Sequence, residues 1–194
     1  MPVITCSEHV PRSHLLSELP PLQSVALNAM PGLFVRKLEL CCLQFDFSVQ
    51  EDADSPMERT RQMKRDTLIE IYKYLENVQP QSPLPPKLLQ QLLFMIQCNI
   101  MRPVPSIPPD QYLVETDGDE LPCELGWTHV GVAYDILLLC SSPSPSGCFS
   151  KQHIIEAFDR PLIDSIVDLF QSSDPHEREK LQRTLHNLYA NPKP

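Results

Sequence analysis

The sequence predicts an all-α protein built as an array of paired helices, an α-solenoid. The 194 residues include 21 prolines but only 5 glycines. Apolar residues recur at helical spacing in every strongly patterned segment, and no segment alternates convincingly between apolar and polar residues as a half-buried strand does. Prolines stop helices and make rigid connectors. These observations together favour helices over strands joined by glycine turns.

Six helices are predicted between an N-terminal tail at 1–31 and a C-terminal tail at 191–194, so that the folded domain covers 32–190. Pro161 is expected to kink or split the fifth helix. A long loop at 103–125 and a Ser/Pro linker at 141–147 separate the later helices. The predicted helices cover 32–47, 56–78, 86–101, 124–140, 150–170 and 175–190.

Two helices carry the argument for an array. Phe34, Leu38, Cys41 and Phe45 form a one-faced apolar stripe on the first helix. The third helix, at 86–101, is apolar nearly all round, which is typical of a helix buried on two sides. Paired helices of this kind fit an α-solenoid of repeats of about 40 residues, and a closed helical bundle is the alternative.

Single side chains are predicted from their local context. Asp174 is expected to cap the last helix, with Pro175 as its first residue and Glu177 placed to return a bond. Trp127 and Tyr134 are expected in the core. In the second helix, 64–65 is interpreted as a solvated Lys-Arg face.

Composition limits the classes of function. The net charge is −9 and hydrophobic residues make up 42% of the chain, which indicates a globular protein and disfavours nucleic acid or an anionic membrane surface as partner. The sequence has neither a signal-peptide pattern nor an apolar run long enough to span a membrane, so the cytoplasm or nucleus is expected. The 7 cysteines lack a Cys-x-x-Cys pair, which favours free thiols over disulfides.

No catalytic or metal-binding constellation stands out, and no cofactor is expected. Cys123 and His129 could share a metal, and Cys140 and Cys148 could be redox partners, but structural roles are the better interpretation of each. The acidic run at 117–120 is interpreted as a solvated loop. A metal- or thiol-dependent enzyme is therefore kept only as an alternative of a different class.

Several motifs follow in an order typical of one known family. The segment 33–47 contains a Leu-Phe-x-x-Lys-Leu run, a Cys pair and Phe-Asp-Phe. It resembles the first core helix of the B-prime regulatory subunits of protein phosphatase 2A. The other similar segments are Leu-Pro-Pro-Leu at 19–22, Lys-Arg at 64–65, Trp-Thr-His at 127–129, Asp-Pro-His-Glu-Arg-Glu at 174–179 and Thr-Leu-His-Asn-Leu-Tyr at 184–189.

The resemblance implies a non-catalytic protein of HEAT-like repeats that directs the phosphatase to substrates. The implied partners are the scaffold and catalytic subunits of phosphatase 2A and phosphoprotein substrates. Family members continue through further repeats, so this chain is expected to be a truncated amino-terminal form. The alternative is a free helical adaptor, or interfering fragment, that binds partners without joining the phosphatase.

The resemblance also indicates partner-binding residues. His176 and Arg178 fall on an intra-repeat turn expected to face the scaffold. His186, Asn187 and Tyr189 fall on one wall of a groove that, in the family, reads Leu-x-x-Ile-x-Glu segments. The family usually has Arg where this chain has Asn187. If the array is cut after this helix, apolar surface should lie open near 181–188, at Leu181, Leu185 and Leu188.

Overall fold

The computed structural model describes residues 19–24, 30–48, 52–77, 85–102, 125–142 and 149–190. Every regular element in these ranges is a helix, which confirms the all-α prediction. Short 3-10 turns occur at Leu22–Ser24 and Leu169–Gln171. The α-helices are α1 Met30–Cys41, α2 Pro56–Glu76, α3 Pro86–Ile100, α4 Trp127–Ser141, α5 Lys151–Ala157, α6 Arg160–Asp168 and α7 Pro175–Tyr189.

The predicted helix ends agree for most elements and fail for the first. α1 ends at Cys41, so the prediction of a helix up to residue 47 was wrong. The fifth predicted helix is split into α5 and α6, with Asp159 capping α6 through the amide of Leu162. Proline at the start of α6 explains the break. The loop at 103–125 and the linker at 141–147 fall almost entirely outside the described residues, as does the C-terminal tail.

The helices form two layers. α2, α4 and α7 follow one another in one layer, because α4 packs against both of the others. In the second layer α1 packs against α3, and α3 packs against α5. The layers are joined by the pairs α1–α2 and α3–α4, while α7 packs on the 3-10 turn that follows α6. Successive pairs stacked in this order make an α-solenoid.

α4 is the central helix, and its burial follows from its sequence. It carries Trp-Thr-His-Val-Gly-Val-Ala-Tyr-Asp-Ile-Leu-Leu-Leu-Cys-Ser, with apolar residues on most sides. Tyr134 is wholly buried, as predicted, while Trp127 is half-buried against the core. The cysteines in the described ranges, Cys41, Cys42, Cys98 and Cys140, are free thiols. None of the helices described has the length and apolarity to cross a membrane.

The outer face of α7 differs from the prediction at one position. Leu181 is fully buried against the core, so the expectation that it lies open was wrong. Leu181 points into the layer shared with α4, because it lies one turn after the buried Glu177. Leu185 and Leu188 are half-buried, and Tyr189 keeps 85% of its surface exposed. The exposed apolar surface of this helix therefore lies at its last turns.

Candidate protein-binding site

The turn at the start of α7 presents the first predicted site residues. Asp174 caps the helix as predicted: its Oδ1 accepts a hydrogen bond from the amide of His176 at 2.8 Å. The His176 ring is exposed, with Nδ1 3.1 Å from Asp174 Oδ1 and the ring centroid 5.8 Å from that of Trp127. The cap therefore orients an imidazole towards solvent beside an aromatic ring.

Glu177 fixes this turn from below. Its side chain is completely buried, and its carboxylate accepts hydrogen bonds from Arg102 Nη1 at 2.8 Å and Nη2 at 2.9 Å. Tyr134 donates a third hydrogen bond to Oε1 at 2.5 Å. Because Arg102 follows α3 and Tyr134 lies on α4, one carboxylate joins three elements. We call these three residues the Glu177 network.

Opposing effects act on the ionisation of the Glu177 network. Burial alone would raise the pKa of Glu177, but hydrogen bonds from Arg102 and Tyr134 outweigh it and lower the pKa from its usual value. Burial, with the hydrogen bond to Glu177, raises the pKa of Tyr134. The network therefore holds an ionised carboxylate and a neutral phenol over the usual pH range.

Arg178 is occupied at least partly by its own turn. Its Nη1 donates to the carbonyl of Ser172 at 2.5 Å, and its side chain is half-buried. Lys180 pairs with Asp135 of α4 one turn further along. Of the two residues expected on the scaffold-facing turn, His176 is thus the more available for a partner, and Arg178 also braces the backbone.

The second predicted group lies at the other end of α7. About eleven residues separate His176 from Asn187, which corresponds to ~16 Å along a helix. His186 is exposed, while Asn187 is half-buried and its Nδ2 lies 3.1 Å from Ser142 Oγ and 3.3 Å from Ser141 Oγ. The Asn187 amide therefore ties α7 to the C-terminal end of α4.

A groove of about 650 Å³ lies beside this contact, between α4 and α7. His186 and Asn187 line it together, and Arg183 and Asp135 add charges of both signs. Leu138 supplies part of its apolar surface. The highly exposed Tyr189 is not among the groove-lining residues, so the structure brings together two of the three residues of this group.

A further polar cluster was missed by the sequence analysis. Lys64 is only 3% exposed, and its Nζ donates to the carbonyl of Leu43 at 2.5 Å. The interpretation of 64–65 as a solvated face was therefore wrong for Lys64, and Arg65 is half-buried. Burial lowers the pKa of Lys64 to about 8. A signal was present, because Arg61 and Lys64 continue the inward-facing stripe of Leu68 at spacings of three and four.

Arg61 and Lys64 hold the chain that leaves α1. Arg61 Nη2 donates to the carbonyl of Asp46 at 2.5 Å, and its guanidinium lies 5.3 Å from the centroid of the Phe47 ring. Lys64 Nζ lies 5.7 Å from the Phe45 ring centroid. Cations thus bind both the carbonyls and the rings of residues 43–47, which we call the aromatic turn.

His129 packs on the aromatic turn from α4. Its ring centroid lies 4.8 Å from that of Phe47, and its Nε2 is 2.9 Å from the carbonyl oxygen of Arg61. Burial lowers the pKa of His129. These contacts give His129 a structural role. Cys123 and Cys148, the other members of the metal and redox alternatives, lie outside the described residues, and the described ranges hold no group of three metal-ligating side chains.

Comparison with known proteins places these features in a family. Residues 19–193 match the family described as "Protein phosphatase 2A regulatory B subunit (B56 family)". The B' gamma isoform of the 59 kDa phosphatase 2A regulatory subunits of Arabidopsis thaliana is 32% identical over 176 residues, which are 89% of this chain and 32% of that protein. The human 56 kDa regulatory subunit alpha isoform is 30% identical, over 90% of this chain and 34% of that protein.

A fungal relative gives the same result. The 56 kDa regulatory subunit delta 1 isoform of Schizosaccharomyces pombe is 31% identical over 94% of this chain and 32% of its own length. The chain spans about a third of the length of the curated relatives it matches. The match nevertheless includes every described helix. The chain therefore belongs to the B56 family of protein phosphatase 2A regulatory proteins.

Proposed function

We propose that this chain acts as a non-catalytic regulatory subunit of protein phosphatase 2A, which binds the scaffold and catalytic subunits and brings phosphoprotein substrates to them. Family membership supports the proposal, since the relatives are named regulatory subunits of this phosphatase. The observation that carries it to a site is the exposed His176 on a turn held by the buried Glu177 network. A surface fixed in advance loses less conformational entropy when it binds a partner.

The contact with the scaffold is proposed to include the turn at 174–178. A tagged chain mixed with purified scaffold and catalytic subunits should retain both on the affinity resin. His176→Glu should weaken retention, because it places a negative charge on the exposed ring position. Arg178 is a poorer test position, because replacing it would also remove the hydrogen bond to Ser172.

A matched control separates this contact from a general charge effect. Lys151 is exposed at the start of α5, and Lys151→Glu changes the charge by a similar amount at a distant surface. Retention lost in the His176 variant and kept in the Lys151 variant would support the proposal. Equal retention by both variants would remove the turn from the interface.

The alternative function is a free helical adaptor that binds partners without joining the phosphatase. It predicts that neither subunit is retained, even by the unmodified chain, while a substrate protein is. A phosphatase assay on the purified chain alone should show no activity under either proposal.

Direct peptide reading by the half-buried Asn187 is proposed to be very weak in this chain. Asn187 has no charge to offer an acidic peptide, and its amide is hydrogen-bonded to Ser142 and Ser141. A charge-assisted hydrogen bond contributes about 1.5–3 kcal/mol. A fluorescent Leu-x-x-Ile-x-Glu peptide should therefore show no saturable binding at tens of micromolar. Saturation that is abolished by Tyr189→Ala would contradict this.

A further inference from the structure

The start of α2 carries a feature that the family assignment does not explain. Ser55 is followed by Pro56, and Asp52, Ala53 and Asp54 before it are all exposed. Ser55 has φ −65° and ψ 147°, which is extended backbone. A residue before proline is restricted to this region, so the extended form is present before any partner binds.

We propose that Ser55 is a phosphorylation site for a proline-directed serine/threonine protein kinase. Such kinases bind an extended serine followed by proline, and the backbone of Ser55 already has that shape. The proposal does not depend on the proposed function. Three other Ser-Pro pairs, at 82–83, 142–143 and 144–145, reach into segments outside the described residues and carry no part of the argument.

The reaction needs only ATP with its magnesium ion as co-reactant. The Ser55 hydroxyl oxygen attacks the γ-phosphorus, an Oγ–P bond forms, and the bond from that phosphorus to the β–γ bridging oxygen breaks. ADP leaves, and the hydroxyl proton passes to the base of the kinase. The first turn of α2 has to open for this, which interrupts the hydrogen bond from the Glu58 amide to Ser55 Oγ at 3.0 Å. Pro56 and Met57 are exposed, so no core packing is lost at these two residues.

The surroundings of Ser55 decide whether the folded chain accepts the phosphate. The amide of Glu58 points to the modified oxygen, and the N-terminus of a helix favours negative charge. Arg59, one turn along, is exposed and able to reach a phosphate at the cap. Asp52 and Asp54 oppose the added charge, but both are exposed and screened by salt. The Glu58 carboxylate is already paired with Arg61 at 3.1 Å.

The test is phosphorylation of the full chain in its folded state by a proline-directed kinase, with the modified residues mapped by mass spectrometry. We expect near-stoichiometric phosphate on Ser55, none at this site in Ser55→Ala, and at least a tenfold slower rate in Pro56→Ala. Ser48 is the matched control, because it is exposed but precedes valine. A synthetic peptide of residues 48–62 provides the rate for the unfolded sequence.

The outcomes that overturn the proposal are distinct. If the peptide is modified but the folded chain reacts at less than a hundredth of its rate, the fold hides the site. If neither is modified, or if Pro56→Ala reacts as fast as the unmodified sequence, the site is not proline-directed. The modified chain should melt about 1–4 °C higher, with a smaller gain in Arg59→Gln. A lower melting temperature would show that the folded chain does not accommodate the phosphate.

Discussion

Glu177 provides the strongest test of how this structure is held together. Glu177→Gln keeps the size of the side chain and removes its charge, so that the Arg102 guanidinium faces a neutral amide. The carboxylate is completely buried, whereas 23% of the Arg102 side chain is exposed. Removing one partner of a buried ion pair costs about 3–5 kcal/mol. Because water reaches Arg102 in part, we expect a loss of about 2–4 kcal/mol in the free energy of unfolding.

The assay is urea denaturation followed by circular dichroism and by the fluorescence of Trp127, the single tryptophan of the chain. Glu179→Gln is the matched control on the same helix. Its carboxylate is 64% exposed and lies 3.9 Å from Arg183, so we expect a loss below about 0.5 kcal/mol. A Glu177→Gln loss below about 1 kcal/mol, or one no larger than that of the control, would refute the reasoning.

The same variant has a defined pH dependence. The folded state lowers the pKa of Glu177 below the ordinary value of 4.5, so its contribution is present above that value. The contribution is lost as the pH falls through the folded-state pKa. The difference in stability between the unmodified chain and Glu177→Gln should therefore narrow below about pH 4.5. A difference that is constant from pH 7 to pH 3 would contradict this assignment.

Two further predictions concern the aromatic turn and its supports. A Cβ added at Gly126 would lie 2.9 Å from a ring carbon of the turn, so Gly126→Ala should lose about 1–3 kcal/mol of stability in urea denaturation, whereas Gly32→Ala, with no atom within 4 Å of its new Cβ, should lose none; equal losses would contradict the packing. Lys64 has its pKa lowered to about 8 when folded and 10.5 as its ordinary value, so the unfolded chain binds more protons between these values and the unmodified chain should gain stability over Lys64→Met by up to about 1.4 kcal/mol per pH unit as the pH rises from 8 to 10. Parallel curves of urea midpoint against pH for these two proteins would refute the burial of that cation.

Local sequence was sufficient for most of the helices but not for the end of α1. Phe45 continues the spacing of Phe34, Leu38 and Cys41, so the pattern alone predicted a longer helix. In the structure the chain leaves the helix after Cys41, because its carbonyls find donors elsewhere. Asn99 of α3 donates to the Cys41 carbonyl at 3.0 Å, and Lys64 serves that of Leu43. These donors lie 58 and 21 residues away, beyond the reach of any local pattern.

The candidate site was predictable in part for the same reason. The cap at Asp174 was found, because capping depends on residues two or three positions apart. The burial of Glu177 was not, since its partner Arg102 lies 75 residues away. Lys64 was placed on the surface because charged residues are seldom buried. Its spacing to Leu68 indicated the opposite and was the better guide.

The central claim is that this chain binds the core of protein phosphatase 2A. The most direct measurement is sedimentation velocity of the fluorescently labelled chain, titrated with the purified complex of scaffold and catalytic subunits. The account predicts a saturable shift to faster sedimentation, weaker than that of a full-length family member because the chain spans about a third of such relatives. Slow sedimentation of the chain at tens of micromolar core complex, under conditions in which the full-length relative shifts completely, would contradict it.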